Sequence, residues 1–145
     1  MSAAQLFSIA NPLALCGWLL LAAFPRKRVV AATVCGTMLP ALLSALYLGL
    51  LVSRMGHAQG GFGSLAAVHL LFEDPWLLLA GWVHYLAFDL FIGAWEARDA
   101  ERRGVSRWVL LPCLALTFLF GPVGLLSWLG ARRAFGRAPS AEHAF

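Results

Sequence analysis

The sequence predicts an all-α membrane protein, a multi-pass transmembrane bundle of four helices plus one short interfacial or re-entrant helix. Three observations predict it. Apolar residues make up 61% of the 145 residues, against the about 45–50% of a soluble domain, and mean hydropathy is +0.77. Charged residues are only 12% and cluster between long apolar runs. Four of those runs approach the roughly 20 residues a helix needs to cross a hydrocarbon core of about 30 Å. A chain of this length holds one domain: a four-span membrane domain over residues 1–131 and a basic, flexible C-terminal tail over 132–145.

The first span runs from about Leu6 to Phe24 and is interrupted near its start by Asn11-Pro12. It lacks a basic leader, and Arg26, Lys27 and Arg28 follow it directly, so it reads as a retained span and not as a signal peptide. The turn from Phe24 to Arg28 is so short that spans one and two must be antiparallel neighbours. Span two, Val29 to Val52, carries Pro40 and the hydroxyls of Thr33, Thr37, Ser44 and Tyr47.

The loop that follows is glycine-rich at Gly56, Gly60, Gly61 and Gly63, then turns apolar. Ser64 is placed to cap a helix, with Leu65, Val68, Leu71 and Phe72 on one face. That run is too short to span, which predicts an interfacial or re-entrant helix over the bundle mouth, either a lid or a filler. Span three, Trp76 to Trp95, starts after Asp74-Pro75. Span four, Trp108 to Leu129, contains Pro112 and a Gly121-Pro122 pair that interrupts the hydrogen-bond ladder and kinks or widens the helix.

A net charge of +4 does not point to nucleic acid, because the basic residues sit in three juxtamembrane clusters. These are Arg26 to Arg28, Arg98 to Arg107 and Arg132 to Arg137, positions that set topology and touch anionic lipid headgroups. The loops after spans one and three are far richer in Lys and Arg than the loop after span two, which has only Arg54. That places both termini outside, although Arg132, Arg133 and Arg137 argue the other way. The short Ala- and Arg-rich chain without a transit segment reads as bacterial, which puts it in the inner membrane. The three cysteines, Cys16, Cys35 and Cys113, have no metal-ligand spacing and read as small buried hydrophobes. The stretch Arg98 to Arg103 mixes charge signs like a solvated helix end and carries neither a metal motif nor a phosphate loop.

Span three holds the candidate chemistry. His84 and Asp89 interrupt an otherwise oily helix, and an aspartate near the centre of a span costs about 2.5–3.5 kcal/mol on insertion scales. Asp89 and Glu96 are seven residues apart and nearly eclipsed, with Tyr85 close to the same stripe. Glu96 falls at the membrane boundary, where solvation is expected. At ~100° per residue His84 lies about 140° from Asp89, so the two flank a stripe of Tyr85, Phe88 and Ile92. Two roles are open. Asp89 is either interhelical glue, bonded to Asn11, Thr117 or Tyr47, or a proton donor with His84 taking or relaying a proton. Gly121 and Gly124 permit close helix approach or leave room for a ligand. The aromatics Trp82, Trp95, Phe88, Phe91, Phe118 and Phe120 suit a long apolar or polyene ligand and equally suit lipid-facing positions.

Four segments carry a resemblance: FSIANPLALCGWLLLAAFP, GGFGSLAAVHLLFEDP, WVHYLAFDLFIGAWEARD and LPCLALTFLFGPVGLL. Together, from about Phe7 to Trp128, they resemble the abscisic-acid-deficient-four-like membrane family, whose plant members are linked to neoxanthin synthesis. The resemblance implies conversion of violaxanthin to neoxanthin, an isomerisation without redox change. An acid protonates the epoxide oxygen, the ring opens to a tertiary cation, and loss of a polyene proton makes the allene. Such chemistry asks for one acid, one base and a dry pocket, with no nicotinamide, flavin or metal cofactor. Our assignment on that reading is Asp89 as acid and His84 as base or relay, or the reverse. Substrate contacts are expected from Asn11, Trp82, Tyr85, Phe88, Ile92, Gly93, Thr117, Phe118, Gly121 and Pro122. The expected partners are a carotenoid or other long apolar isoprenoid and membrane lipids, with homo-oligomerisation left open. The alternatives are a non-catalytic carotenoid-binding photoprotective protein and a small structural membrane scaffold.

Overall fold

Capping chemistry at Ser2 opens the fold in the computed structural model, which describes residues 1–137. The Ser2 hydroxyl accepts from the Gln5 N–H at 3.2 Å, and the Gln5 side chain accepts from the Ser2 N–H at 2.8 Å. This reciprocal box starts α1 (Ala3–Ala23), in which Pro12 withholds one N–H from the ladder. After the Phe24–Arg28 turn the chain winds first as a π-helix, Val29–Met38, and then as α2 (Leu39–Arg54). The wide winding has a visible partner. Arg98 donates to the Ala31 carbonyl at 2.5 Å, and a Cβ on Gly36 would collide with that guanidinium. Glycine at 36 leaves the arginine its place.

Helix α3 (Leu65–Phe72) starts at Ser64, whose hydroxyl accepts from the Ala67 N–H at 3.1 Å as its sequence position predicts. Of the expected apolar face only Leu71 is buried; Val68 is half-buried, and Leu65 and Phe72 are exposed. Helix α4 (Pro75–Arg102) begins where Asp74 accepts from the N–H groups of Trp76 at 2.7 Å and Leu77 at 3.4 Å. It is the central helix, packed against α1, the π segment, α2 and α3. One core cluster joins Ala10, Ala14, Leu43 and Leu50 to Leu79 and Val83; the other joins Trp18, Leu21 and Cys35 to Leu90, Ala97, Leu114 and Trp128. Cys35 and Cys113 are buried, whereas Cys16 faces outward.

The fourth apolar run does not form the single span expected of it. It divides into α5 (Arg107–Phe120) and α6 (Pro122–Phe135), joined only by Gly121 at φ +39°. Pro122 has no N–H to continue the ladder of α5, and glycine tolerates the left-handed turn that follows. The chain then doubles back. Gly124 lies so close to Thr117 that a Cβ would overlap its backbone, and the Arg137 N–H donates to the Arg103 carbonyl at 3.0 Å. Each arm has 14 residues, about 21 Å of helix, short of a hydrocarbon core of about 30 Å. The pair is a helical hairpin that starts and ends at the same end of α4.

Every regular element among the described residues is helical. Three helices are long and apolar enough to cross a membrane, Ala3–Ala23, Val29–His57 and Pro75–Arg102, and they mark a membrane protein. The two ends of the described residues lie at opposite ends of α4. Ala3 and Phe7 border the start of α4 near Pro75, while Arg137 touches Arg103 at its far end. Of the tail expected over 132–145, residues 132–135 belong to α6, and 138–145 lie outside the described residues.

Candidate functional site

Asp89 lies near the midpoint of the 28-residue α4, and the hairpin brings its tip to that level. A Cβ on Gly121 would stand 2.9 and 3.1 Å from the two Asp89 carboxyl oxygens. Asp89 Oδ2 is buried and has no hydrogen-bond partner among the described residues. The three side chains that the sequence offers as partners are engaged elsewhere. Asn11 accepts from Trp82 Nε1 at 2.7 Å, and Thr117 donates to Glu96. The Tyr47 ring meets the edge of His84 at 5.4 Å.

One turn before Asp89, the Tyr85 hydroxyl donates to the Phe118 carbonyl at 3.1 Å. That carbonyl falls in the last turn of α5, where the helix leaves acceptors unused. Further along, Glu96 and Thr117 are both 0% exposed. The Thr117 hydroxyl lies 2.9 and 3.0 Å from the two Glu96 carboxyl oxygens, and its single proton serves one of them at a time. The expectation of a solvated Glu96 is therefore corrected. Glu96 is covered from α5 through Thr117, and the returning arm α6 meets the same end of α4 at Asp99. Asp99 completes the stripe, accepting from Arg103 Nε at 2.9 Å, Trp128 Nε1 at 3.1 Å and Arg132 Nη1 at 3.3 Å.

Two adjoining apolar cavities flank the other half of α4. The larger, about 640 Å³, lies between α1, the end of α3 and α4, lined by Ala3, Phe7, Phe72, Leu78, Trp82 and Tyr85 among others. The second, about 380 Å³, is lined by Asn11, Pro12, Leu15, Leu86 and Phe118 and shares Trp82 and Tyr85 with the first. From Ala3 to Leu15 this groove follows α1 for about 18 Å. Tyr85 belongs both to its wall and to the face that carries Asp89.

The structure thus gathers Asn11, Trp82, Tyr85 and Phe118 along one groove and sets Gly121 beside Asp89, with Pro122 exposed next to it in the chain. It does not gather the others there. His84 and Phe88 stack on each other at 4.6 Å on an exposed face, and neither lines these cavities. Gly93 is filled against the Trp18 ring, Ile92 is half-buried, and Thr117 is committed to Glu96. Sequence reasoning missed the Glu96–Thr117 pair, although the seven-residue spacing of Asp89 and Glu96 hinted that both face one neighbour. Among the described residues no group of three or more His, Cys, Asp or Glu is arranged to hold a metal ion.

Neither a curated protein nor a solved structure matches the chain. A family model does match it, over residues 5–128, a stretch that includes all of the groove but its first residues, Asp89 and the hairpin tip. The chain belongs to the ABA DEFICIENT 4-like family.

Proposed function

We propose that the protein takes a carotenoid or a related long isoprenoid into the α1–α4 groove and isomerises it by acid–base chemistry at Asp89. The reading draws on the family, with its link to neoxanthin synthesis, and above all on one observation. The Asp89 carboxyl, against the hairpin tip and one turn from the groove residue Tyr85 but lining neither cavity itself, has a buried, unpartnered oxygen. Helix glue would have its oxygens occupied; this one does not.

The chemistry balances with a single carboxyl. In its acid form Asp89 gives its proton to the epoxide oxygen, the C–O bond breaks, and a tertiary carbocation forms. The carboxylate then removes a proton from the neighbouring polyene carbon, and that C–H electron pair becomes the new C=C of the allene. Asp89 ends as it began, and no cofactor is required. Tyr85, its own proton on the Phe118 carbonyl, offers its oxygen from the groove wall to the substrate hydroxyl that ring opening creates. His84, on the outer face, has no part in this scheme.

We place the basic end of the bundle in the cytoplasm. Of the 11 Lys and Arg residues, all but Arg54 lie in the three clusters that the hairpin and the Arg98–Ala31 bond bring to one end. The N-terminus is then outside and the end of α6 inside.

The test is purified protein in detergent, supplied with violaxanthin and analysed by chromatography and mass spectrometry. The expected product has the mass of the substrate and a new retention time, forms at a reduced rate with Tyr85→Phe, and forms at the normal rate with His84→Ala. Pigment that stays bound and unchanged overturns catalysis and leaves a carrier; failure to bind pigment overturns both.

A further inference from the structure

We propose that the basic end of the fold carries a binding site for the phosphodiester headgroup of an anionic phospholipid, formed by Arg26, Lys27 and Arg107. A cavity of about 310 Å³ opens there, and its lining is Ala23, Phe24, Pro25, Arg26, Lys27 and Arg107. The three cations come from two separate segments, the turn after α1 and the first residue of α5. Local chemistry fixes both. Pro25 is buried, and the Lys27 N–H closes the turn on the Phe24 carbonyl at 3.1 Å. On the other side, Val105 is buried and Ser106 accepts from the Trp108 N–H at 3.3 Å, which sets where Arg107 begins α5.

No acidic side chain lines this cavity, and none of its three cations joins an ion pair among the described residues. Among the described residues, the acids at this end are spent elsewhere or stand aside. Asp99 pairs with Arg103 and Arg132, Glu96 is buried on Thr117, and Glu101 is exposed and outside the lining. Three like charges around one void repel each other until an anion enters it. A phosphate oxygen pair matches the donor fork of a guanidinium, and two arginines and a lysine supply the charge. The rim says that the anion is a lipid. Phe24 is 50% exposed and Trp108 74% exposed at the ends of apolar helices, as in interfacial belts where rings sit among headgroups and upper acyl chains. The Arg107 guanidinium lies 5.3 Å from the Trp108 ring, so the cation and its apolar neighbour form one unit. A small soluble anion would gain nothing from that rim.

The experiment uses the full chain in uncharged detergent, with phosphatidylglycerol or phosphatidylcholine added and retained lipid counted by native mass spectrometry. Wild type is expected to retain phosphatidylglycerol in preference to phosphatidylcholine. The triple variant Arg26→Gln, Lys27→Gln, Arg107→Gln is expected to lose roughly 100-fold in that affinity, about fivefold per cation. A double variant on the same end but outside the cavity, Arg102→Gln with Arg133→Gln, is expected to retain the lipid as wild type does. Equal retention by the triple variant, or equal loss by the double, overturns the proposal, as does competition by inorganic phosphate at matched concentration. Should circular dichroism show that the triple variant has lost its helices, Arg107→Gln alone decides, with about a fivefold loss expected and no loss contradicting the site.

Discussion

The two halves of α4 face opposite kinds of neighbour. From Trp76 to Phe88 the helix borders an apolar groove with little polar pairing, the Trp82–Asn11 bond at 2.7 Å and the Tyr85 bond to the Phe118 carbonyl at 3.1 Å. From Asp89 to Arg102 it meets the hairpin, where Glu96 is sealed on Thr117 and Asp99 is held by Arg103, Trp128 and Arg132. The sealed half satisfies its carboxyls and anchors the hairpin. The groove half leaves room. Asp89 sits on the border, with one oxygen unpartnered, and the contrast separates carboxyls that hold the fold from the one free to react.

The strongest way to break the contrast is to force the hairpin arms apart. Gly124→Val puts a branched side chain into the Thr117 backbone, where ordinary overpacking already costs about 1–3 kcal/mol. The expected outcome is a large fall in melting temperature in detergent, together with loss of pigment conversion because the tip leaves Asp89. A smaller effect is expected from Thr117→Val, which keeps the shape and removes the hydroxyl from Glu96. Stranding that buried carboxyl costs about 1–3 kcal/mol, and Thr117→Ser should restore most of it in thermal or denaturant unfolding. The smallest stability effect belongs to the groove. Asn11→Leu removes one hydrogen bond, about 0.5–1.5 kcal/mol, and is expected to alter pigment affinity more than melting temperature. An equal drop in stability from Asn11→Leu and Thr117→Val would erase the distinction between the two halves.

Much of this was legible in the chain. The long apolar runs mark α1, the Val29–His57 helix and α4, and Ser64 and Asp74-Pro75 mark two helix starts. The quoted segments pointed to the family that the profile match shows. The hairpin was not legible, because an apolar run broken by Gly121-Pro122 reads the same whether the helix kinks or reverses. One sign favoured reversal: Arg132, Arg133 and Arg137 carry the charge of the end that also holds Arg98 to Arg107. Burial of Glu96 rests on Thr117 of the neighbouring α5 and on nothing local to α4. His84 and Asp89 looked like a pair because both are rare in such a helix, yet helical phase had already set them on different faces, and the packing keeps them there.

The most direct measurement is violaxanthin conversion by Asp89→Asn, a variant that keeps the shape of the side chain beside Gly121. The account predicts folded protein with a melting temperature close to wild type that binds pigment and makes no product. Conversion at the wild-type rate, or a collapse of stability like that of Gly124→Val, would contradict it.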